Sequence, residues 1–181
     1  MGSKRGTALL HSQHFKVGPE DRVLDLGCGP ATILEHISPQ SYLGVDPSEE
    51  YIKTARQCSG DKGVFVVGTA DTIDMAQIAD CFDLVLAIGV LHHIDDDQAE
   101  RLVACARHAL VKGGRFVTVD CVAGARNPIA RLLISVDRGR NVRSVNEIQQ
   151  LLESSFDRPQ VGVRHDLLRV PYSHVYSECR A

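Results

Sequence analysis

The chain has 181 residues, 44% of them hydrophobic and 24% charged, with six cysteines and a net charge of −3. That length suits one domain with a core of its own, and the composition excludes disorder. The acidic balance argues against a protein built to grip a nucleic-acid backbone. No apolar run approaches the roughly 18 residues a membrane span needs. The start, Met1-Gly2-Ser3-Lys4-Arg5-Gly6, lacks the apolar stretch of a signal peptide. No two cysteines form a Cys-x-x-Cys pair, so they read as free thiols in a reducing compartment, with a cytoplasmic location expected.

Strands alternate with helices along the chain, the pattern of an α/β domain with a mainly parallel sheet. Arg22 to Leu26 reads as the first strand, followed by a glycine-rich turn and a short helix over 31–37. Ser41 to Asp46 is the second strand, and a helix from Pro47 to about Gln57 carries Tyr51, Ile52 and Ala55 on one face. A third strand is expected over 63–67 and a short helix over 72–79. Phe82 to Ile88 is a near-continuous apolar run, as in a parallel strand buried on both faces.

The helix from Asp96 to about Val111 repeats Ala99, Leu102, Val103, Ala106 and Leu110 at helical spacing. Asp95 and Gln98 form a capping pair at its start, and Lys112-Gly113-Gly114 reads as its stop. Arg115 to Asp120 is the fifth strand, and Ser144 to Glu147 is a second capping box, opening a helix to about Ser155. The last strands, over 160–167 and 174–179, have no helix-length segment between them and are expected to form an antiparallel hairpin. The organisation is a single domain over 1–181, with 1–20 as an N-terminal cover and 121–145 as a substrate-covering segment.

Chemistry concentrates after the first strand. In Asp25-Leu26-Gly27-Cys28-Gly29-Pro30-Ala31, glycines permit a tight turn and let a ligand approach the main chain, and a following helix N-terminus would offer free N–H groups. Asp46 closes the second strand about 20 residues later, where an acid in a nucleoside-binding sheet accepts from ribose hydroxyls. It is equally suited to capping the next helix, with Pro47 at the first position and Glu49 as partner.

Five segments, VLDLGCGPA, GVDPSEEYI, GTADT, FDLVLAIGVLHHIDD and LVKGGRFVTVD, occur in that order over roughly residues 21 to 120. The set resembles the class I S-adenosylmethionine-dependent methyltransferases, in their small-molecule branch (the type 11/12 group). The resemblance implies a Rossmann-like three-layer sandwich, with a seven-stranded, mostly parallel sheet and an antiparallel last strand. It also implies S-adenosylmethionine as cofactor, S-adenosylhomocysteine as product and a small-molecule acceptor, with no nucleic acid and no membrane. Asp25, Gly27, Cys28 and Gly29 would line the methionine part, with Ala31 in place of the usual third glycine. Asp46 would hold the ribose and Pro47 would flank the adenine. Ala70, Asp71 and Thr72 would meet the adenine ring, Asp71 accepting from its amino group or else capping the next helix. Ile88 and Gly89 would sit beside the sulfonium.

His92 and His93 follow the fourth strand, and an imidazole can serve as a base near neutral pH. His92 reads as a packing residue and His93 as the candidate base, with local packing as its alternative. Asp95, Asp96 and Asp97 read as a solvated helix start, and no metal is expected. Candidate acceptor contacts are Arg138 and Arg140, within the series Arg126, Arg131, Arg138, Arg140 and Arg143, together with Tyr172 and His174. Paired arginines suit a carboxylate or phosphate, which points to an anionic or carrier-linked acceptor; a solvated face is the competing reading. Leu9, Leu10, His11, His14 and Phe15 would contribute to a lid.

Three other classes bear on the function. A dinucleotide dehydrogenase would carry Gly-x-Gly-x-x-Gly, but Thr32 stands at the last glycine. A base-amino methyltransferase would carry an Asn-Pro-Pro-Tyr type of motif where Gly89-Val90-Leu91-His92 stands. A non-catalytic cofactor-binding partner, completed by a second chain, remains the alternative.

Overall fold

The computed structural model describes residues 15–122, 141–164 and 174–181. Seven strands form one sheet: β1 Arg22–Leu26, β2 Ser41–Asp46, β3 Val64–Val67, β4 Phe82–Ile88, β5 Leu110–Cys121, β6 Gln160–Arg164 and β7 His174–Arg180. Their order is β3-β2-β1-β4-β5-β7-β6. All pairs from β3 through β5 are parallel, while β7 runs antiparallel to both β5 and β6. The C-terminal hairpin therefore enters the sheet by its last strand and leaves β6 at the edge.

Side chains alternate across each strand, so the sheet builds a core on each face. Leu24 and Leu26 of β1, with Val85 and Ala87 of β4 and Phe116 of β5, pack against one helical layer. That layer is α3, Asp96–Ala109, and α4, Val145–Glu153, through Leu102, Val103, Ala106, Ile148 and Leu152. Val23, Leu84, Leu86 and Val117 face the other way, onto Ile52 and Ala55 of α1, Glu49–Ser59, and onto Phe15, Tyr42 and Phe65. The result is the expected three-layer, Rossmann-like sandwich. Each fully buried leucine or isoleucine in these layers contributes about 1.5–3 kcal/mol.

Several local expectations are corrected. The segment after the glycine turn is a single 3₁₀ turn, Thr32–Glu35, preceded by Ala31 in the left-handed region at φ 53°. A β-carbon there costs about 1–2 kcal/mol. Helix α1 starts at Glu49 with Ser48 as its cap, so neither Asp46 nor Pro47 opens it. Ile52 and Ala55 are buried while Tyr51 is about half exposed, so the three do not share a face. The helix over 72–79 contracts to one turn, α2 Met75–Ile78, capped by Asp74.

Lys112 to Gly114 interrupts a strand rather than stopping a helix. Phe82 pairs with Leu110 and Leu84 with Arg115, so the extra residues bulge, with Gly113 at φ 82°. Both capping boxes form in full, Asp95 with Gln98 and Ser144 with Glu147. No helix among the described residues is long and apolar enough to cross a membrane.

Ser144 caps α4 through its hydroxyl, which accepts from the Glu147 amide. Its replacement by Ala is expected to lower the unfolding free energy by about 1 kcal/mol, with an unchanged denaturant slope. Urea titration checks this.

Candidate functional site

The strand order reverses between β1 and β4, and a cleft of about 620 Å³ opens there at the carboxyl ends of the strands. This lies within the roughly 300–1,000 Å³ of small-molecule sites. Its walls include Gly27, Cys28, Gly29, Asp46, Pro47, Ala70, Asp71, Ile88, Gly89 and His93. These residues come from four separate segments of the sequence reading.

The β1 turn is fixed by backbone bonds. The amides of Gly27 and Cys28 both donate to the Val45 carbonyl, at 2.7 and 3.1 Å, and that of Ala31 donates to the Cys28 carbonyl. Gly29 donates to Asp46 Oδ2 at 2.9 Å, while Asp46 Oδ1 accepts from the Ser48 amide at 2.9 Å. Each oxygen keeps a second lone pair for a ligand hydroxyl. Gly29 has φ 54°, and a β-carbon built on it meets nothing within 4 Å. Gly27, at φ 80°, is tight instead: its β-carbon would stand 2.4 Å from Val90 Cγ2. The turn thus presents bare backbone to the cleft on a packed foundation, and no helix dipole assists it.

Two residues expected in the cleft, Asp25 and Thr72, are not part of its lining. Asp25 is buried, and Tyr42 donates its hydroxyl to Asp25 Oδ2 at 2.6 Å, leaving Oδ1 without a partner. Burial pushes the Asp25 carboxyl up to about 7; the Tyr42 bond opposes this and the charge of Asp46 adds to it. Thr72 Oγ1 accepts from the Thr69 amide at 2.8 Å and shapes the loop after β3. Cys28 does line the wall, but its sulfur sits 2.8 Å from where a Gly44 β-carbon would stand, and burial pushes its thiol far up. Asp71 accepts from Arg101 through Oδ1, and α2 takes Asp74 as its cap, so Asp71 caps no helix.

The loop after β4 rests on an acid that sequence reasoning passed over. Asp120, near the end of β5, is 2% exposed. Its Oδ2 accepts from the amides of Val90 and Leu91 at 3.1 and 2.7 Å, and its Oδ1 from those of His92 and Cys121. The His92 ring bonds the same carboxylate through Nδ1. Burial works against a charged ring, but the bond to Asp120 wins and pushes His92 up to about 10. The signal in the sequence was a lone acid ending an apolar strand, the position Asp46 holds in β2.

His93 stands exposed on the cleft wall, its amide donating to the Val90 carbonyl at 2.9 Å. Its ring lies on that of His92, with centroids 3.8 Å apart. Donor atoms of His92, Asp120 and Cys121 fall within 4.8 Å of one another. The Asp120 oxygens are already committed to amides and a ring N–H, so the trio is a hydrogen-bonded anchor.

Arg143 is buried and committed too, donating to the carbonyls of Leu91 and Ile94 and to Asp96. It is thereby removed from the arginine series as an acceptor clamp. His174 opens β7 opposite Cys121 and is outside the cleft lining. Arg126, Arg131, Arg138, Arg140 and Tyr172, and Leu9, Leu10, His11 and His14, lie outside the described residues. Tyr51, Gln98 and Leu102 line the cleft and were not anticipated there. Each sits on a helix whose position against the sheet decides its exposure.

A family model described as a methyltransferase domain matches residues 23–114, from β1 to the bulge in β5. The chain belongs to this family, the class I S-adenosylmethionine-dependent methyltransferases. An uncharacterized methyltransferase, YcgJ of Bacillus subtilis, is 30% identical over 134 residues, 71% of this chain and 51% of that protein. A ubiquinone biosynthesis O-methyltransferase of Rhizobium etli is 34% identical over 104 residues, 56% of this chain and 41% of that one. The chain thus spans about half the length of the curated relatives it matches.

In structure, the YcgJ crystal structure superposes with a TM-score of 0.75 at 17% identity, covering 96% of this chain and 97% of that chain. A Burkholderia thailandensis 1,6-didemethyltoxoflavin-N1-methyltransferase with bound S-adenosylhomocysteine gives 0.70 at 21% identity, covering 98% and 76%. These likenesses establish the fold. The family's cofactor is S-adenosylmethionine, and the cleft fits it: open space over Gly29, spare lone pairs on Asp46, and apolar Pro47, Ile88 and Leu102 in the same lining.

The raised groups set the pH response of stability. Asp25 stays protonated in the folded chain up to about 7, so stability falls as pH rises from its ordinary value towards 7. His92 gains a proton on folding; its contribution is complete below the ordinary histidine value near 6.5 and is lost as pH rises towards about 10. The melting temperature is therefore expected to fall steadily between about pH 7 and about pH 10. His92→Gln should melt lower near pH 7 and lose most of that slope, which calorimetric scans at three pH values measure.

Proposed function

We propose that this chain transfers the methyl group of S-adenosylmethionine to a small-molecule acceptor that enters the cleft beside His93. The observation that carries the reading is the Gly29–Asp46 hydrogen bond beneath open space. It ties a bare backbone turn to the strand-end acid across the place where a nucleoside with a charged tail would lie. S-adenosylmethionine supplies an activated sulfonium methyl, so the acceptor's O or N bonds to carbon as the C–S bond breaks, leaving S-adenosylhomocysteine.

The protein's part is alignment and exclusion of water. Gly27, Cys28 and Gly29 bound the methionine end, and Asp46 accepts from the ribose hydroxyls. Asp71 accepts from the adenine amino group through the oxygen that Arg101 leaves open. Ile88 and Gly89 form the floor beside the reacting carbon. His93 takes the proton that an oxygen or nitrogen acceptor loses.

For the acceptor we propose an anionic or carrier-linked small molecule met by Arg138 and Arg140, under the cover of 1–20 and 121–145. Its support is the attachment of Asn141, next in sequence to Arg140: the Asn141 amide donates to the carbonyl of His92, the residue before His93, at 3.2 Å. The net charge of −3 favours a small acceptor over a polyanion.

Calorimetric titration with S-adenosylmethionine, S-adenosylhomocysteine and NAD tests the cofactor half. The two adenosyl ligands are expected to bind and NAD not; Asp46→Ala and Gly29→Ala should each weaken binding at least about tenfold while the protein stays folded. Absence of adenosyl binding in the parent chain would sink the proposal. Binding without turnover of any acceptor would favour the alternative, a cofactor-binding partner completed by another chain. With an acceptor in hand, His93→Gln should lower kcat about 10²-fold or more and leave cofactor affinity within about twofold.

A further inference from the structure

The proposed mechanism uses Asp71 but not the group that holds it. The loop after β3 is fixed by its own threonines. The Thr69 amide donates to Thr72 Oγ1 at 2.8 Å, and that hydroxyl donates to the Thr69 carbonyl at 3.2 Å. The Asp71 amide donates to Thr69 Oγ1 at 3.3 Å. These bonds set the Asp71 backbone and leave its carboxylate out of the turn. Among the described residues, the hydrogen-bond partner of that carboxylate is Arg101 of α3, whose Nε donates to Oδ1. The last torsion of an aspartate is soft, so a donor on one oxygen decides where the second oxygen points.

Arg101 is itself held at its root. The capping box of Asp95 and Gln98 fixes the start of α3, and Ala99, Leu102, Val103 and Ala106 lock the helix against the sheet. Gln98, Arg101, Leu102 and Cys105 then fall on one stripe, at i, i+3, i+4 and i+7. Gln98 and Leu102 line the cleft, as Asp71 does. Cys105 senses the same acid: burial pushes its thiol up to about 11, and the Asp71 charge adds to this. About two turns beyond Arg101, His108 Nε2 bonds the Met75 carbonyl at 2.9 Å. The stretch from Asp71 to Met75 is thus clipped to α3 at two points, and the first clip is an acid of the cleft wall.

We propose that Arg101 is a positioning residue of the cofactor site. By bonding Asp71 Oδ1 it aims Oδ2 at the exocyclic amino group of a 6-aminopurine, and so makes the cleft discriminate against a 6-oxopurine. Arg101 acts through Asp71, and the inference rests on the reading of Asp71 as acceptor for the adenine amino group. The two side chains are 54% and 36% exposed, so their attraction contributes little to stability. Direction is what the pair supplies. A carboxylate is acceptor-only and meets an amino group with a hydrogen bond, but a 6-oxo group with repulsion between two acceptors. A carboxylate free to turn would reach the neighbouring ring N–H that a 6-oxopurine carries instead. One held by the planar guanidinium does not follow it.

The test is calorimetric titration of the full chain with S-adenosylhomocysteine and with its 6-oxo analogue, S-inosylhomocysteine. The parent chain is expected to prefer the adenosyl ligand by about tenfold or more, the scale of one hydrogen bond to a charged group. Arg101→Met keeps an apolar stem and removes the donors; it should cut that preference at least about threefold. Asp71→Asn, whose amide offers an acceptor or a donor as it turns, should bring the two affinities within about twofold of each other. Thermal melting of both variants is expected to match the parent closely, because the pair is exposed.

A merely structural role for Arg101 would weaken both ligands alike and leave their ratio where it was. That ratio unmoved in Arg101→Met, but lost in Asp71→Asn, overturns the proposal and keeps Asp71 as the adenine acceptor. A ratio unmoved in Asp71→Asn overturns the reading of Asp71 and the proposal with it. A parent chain that binds both ligands equally does the same.

Discussion

The cleft exists because the sheet grows in two directions from its middle. β2 and β3 are added on one side of β1, and β4 and β5 on the other. The connections that follow β1 and β4 therefore leave over opposite faces, and a crevice opens between them at the carboxyl edge. Every parallel strand ends at that edge, so Leu26, Asp46, Val67 and Ile88 arrive together although they are far apart in sequence. The two apolar layers hold the strands in this order, and the chemistry of the site inherits its spacing from them.

Two strand-end acids then fix the loops on either side. Tight turns leave backbone amides without ladder partners, and a buried amide must find an acceptor. Asp46 supplies one to Gly29 and Ser48, and Asp120 supplies one to Val90, Leu91 and His92. Both are nearly buried, at 7% and 2% exposure, so their bonds act in a medium of low effective dielectric. Each carboxylate holds its loop from behind and leaves the cleft side open. Such preorganisation lets a ligand meet groups that need no rearrangement.

The two acids differ in what else they bond. Asp46 retains lone pairs towards the cleft, whereas Asp120 spends its remaining capacity on the His92 ring. One side of the site therefore keeps acceptor capacity, while the other is closed by the bonded His92–Asp120 pair. Arg143 and Asn141 extend the second side by tying the chain before α4 to the carbonyls of Leu91, His92 and Ile94.

The sequence by itself determined the order of the strands along the chain and the starts of α3 and α4. Short apolar runs between turn signals placed β1, β2 and β4 at their observed bounds, and reciprocal side-chain signals located both capping boxes, because these depend on residues no more than a few positions apart. The glycine turn followed by Asp46 was legible for the same reason, being two local signals at a fixed spacing. The tertiary structure alone decided which side chains face the cleft. Asp25 turned away from it to Tyr42, Tyr51 turned towards it, and Asp71 found Arg101 on α3, beyond α2 and β4. His92 met Asp120 only because β4 and β5 are neighbours in the sheet, bringing together residues 28 positions apart. Periodicity reports that a residue is buried or exposed, whereas its partner is set by how the elements pack.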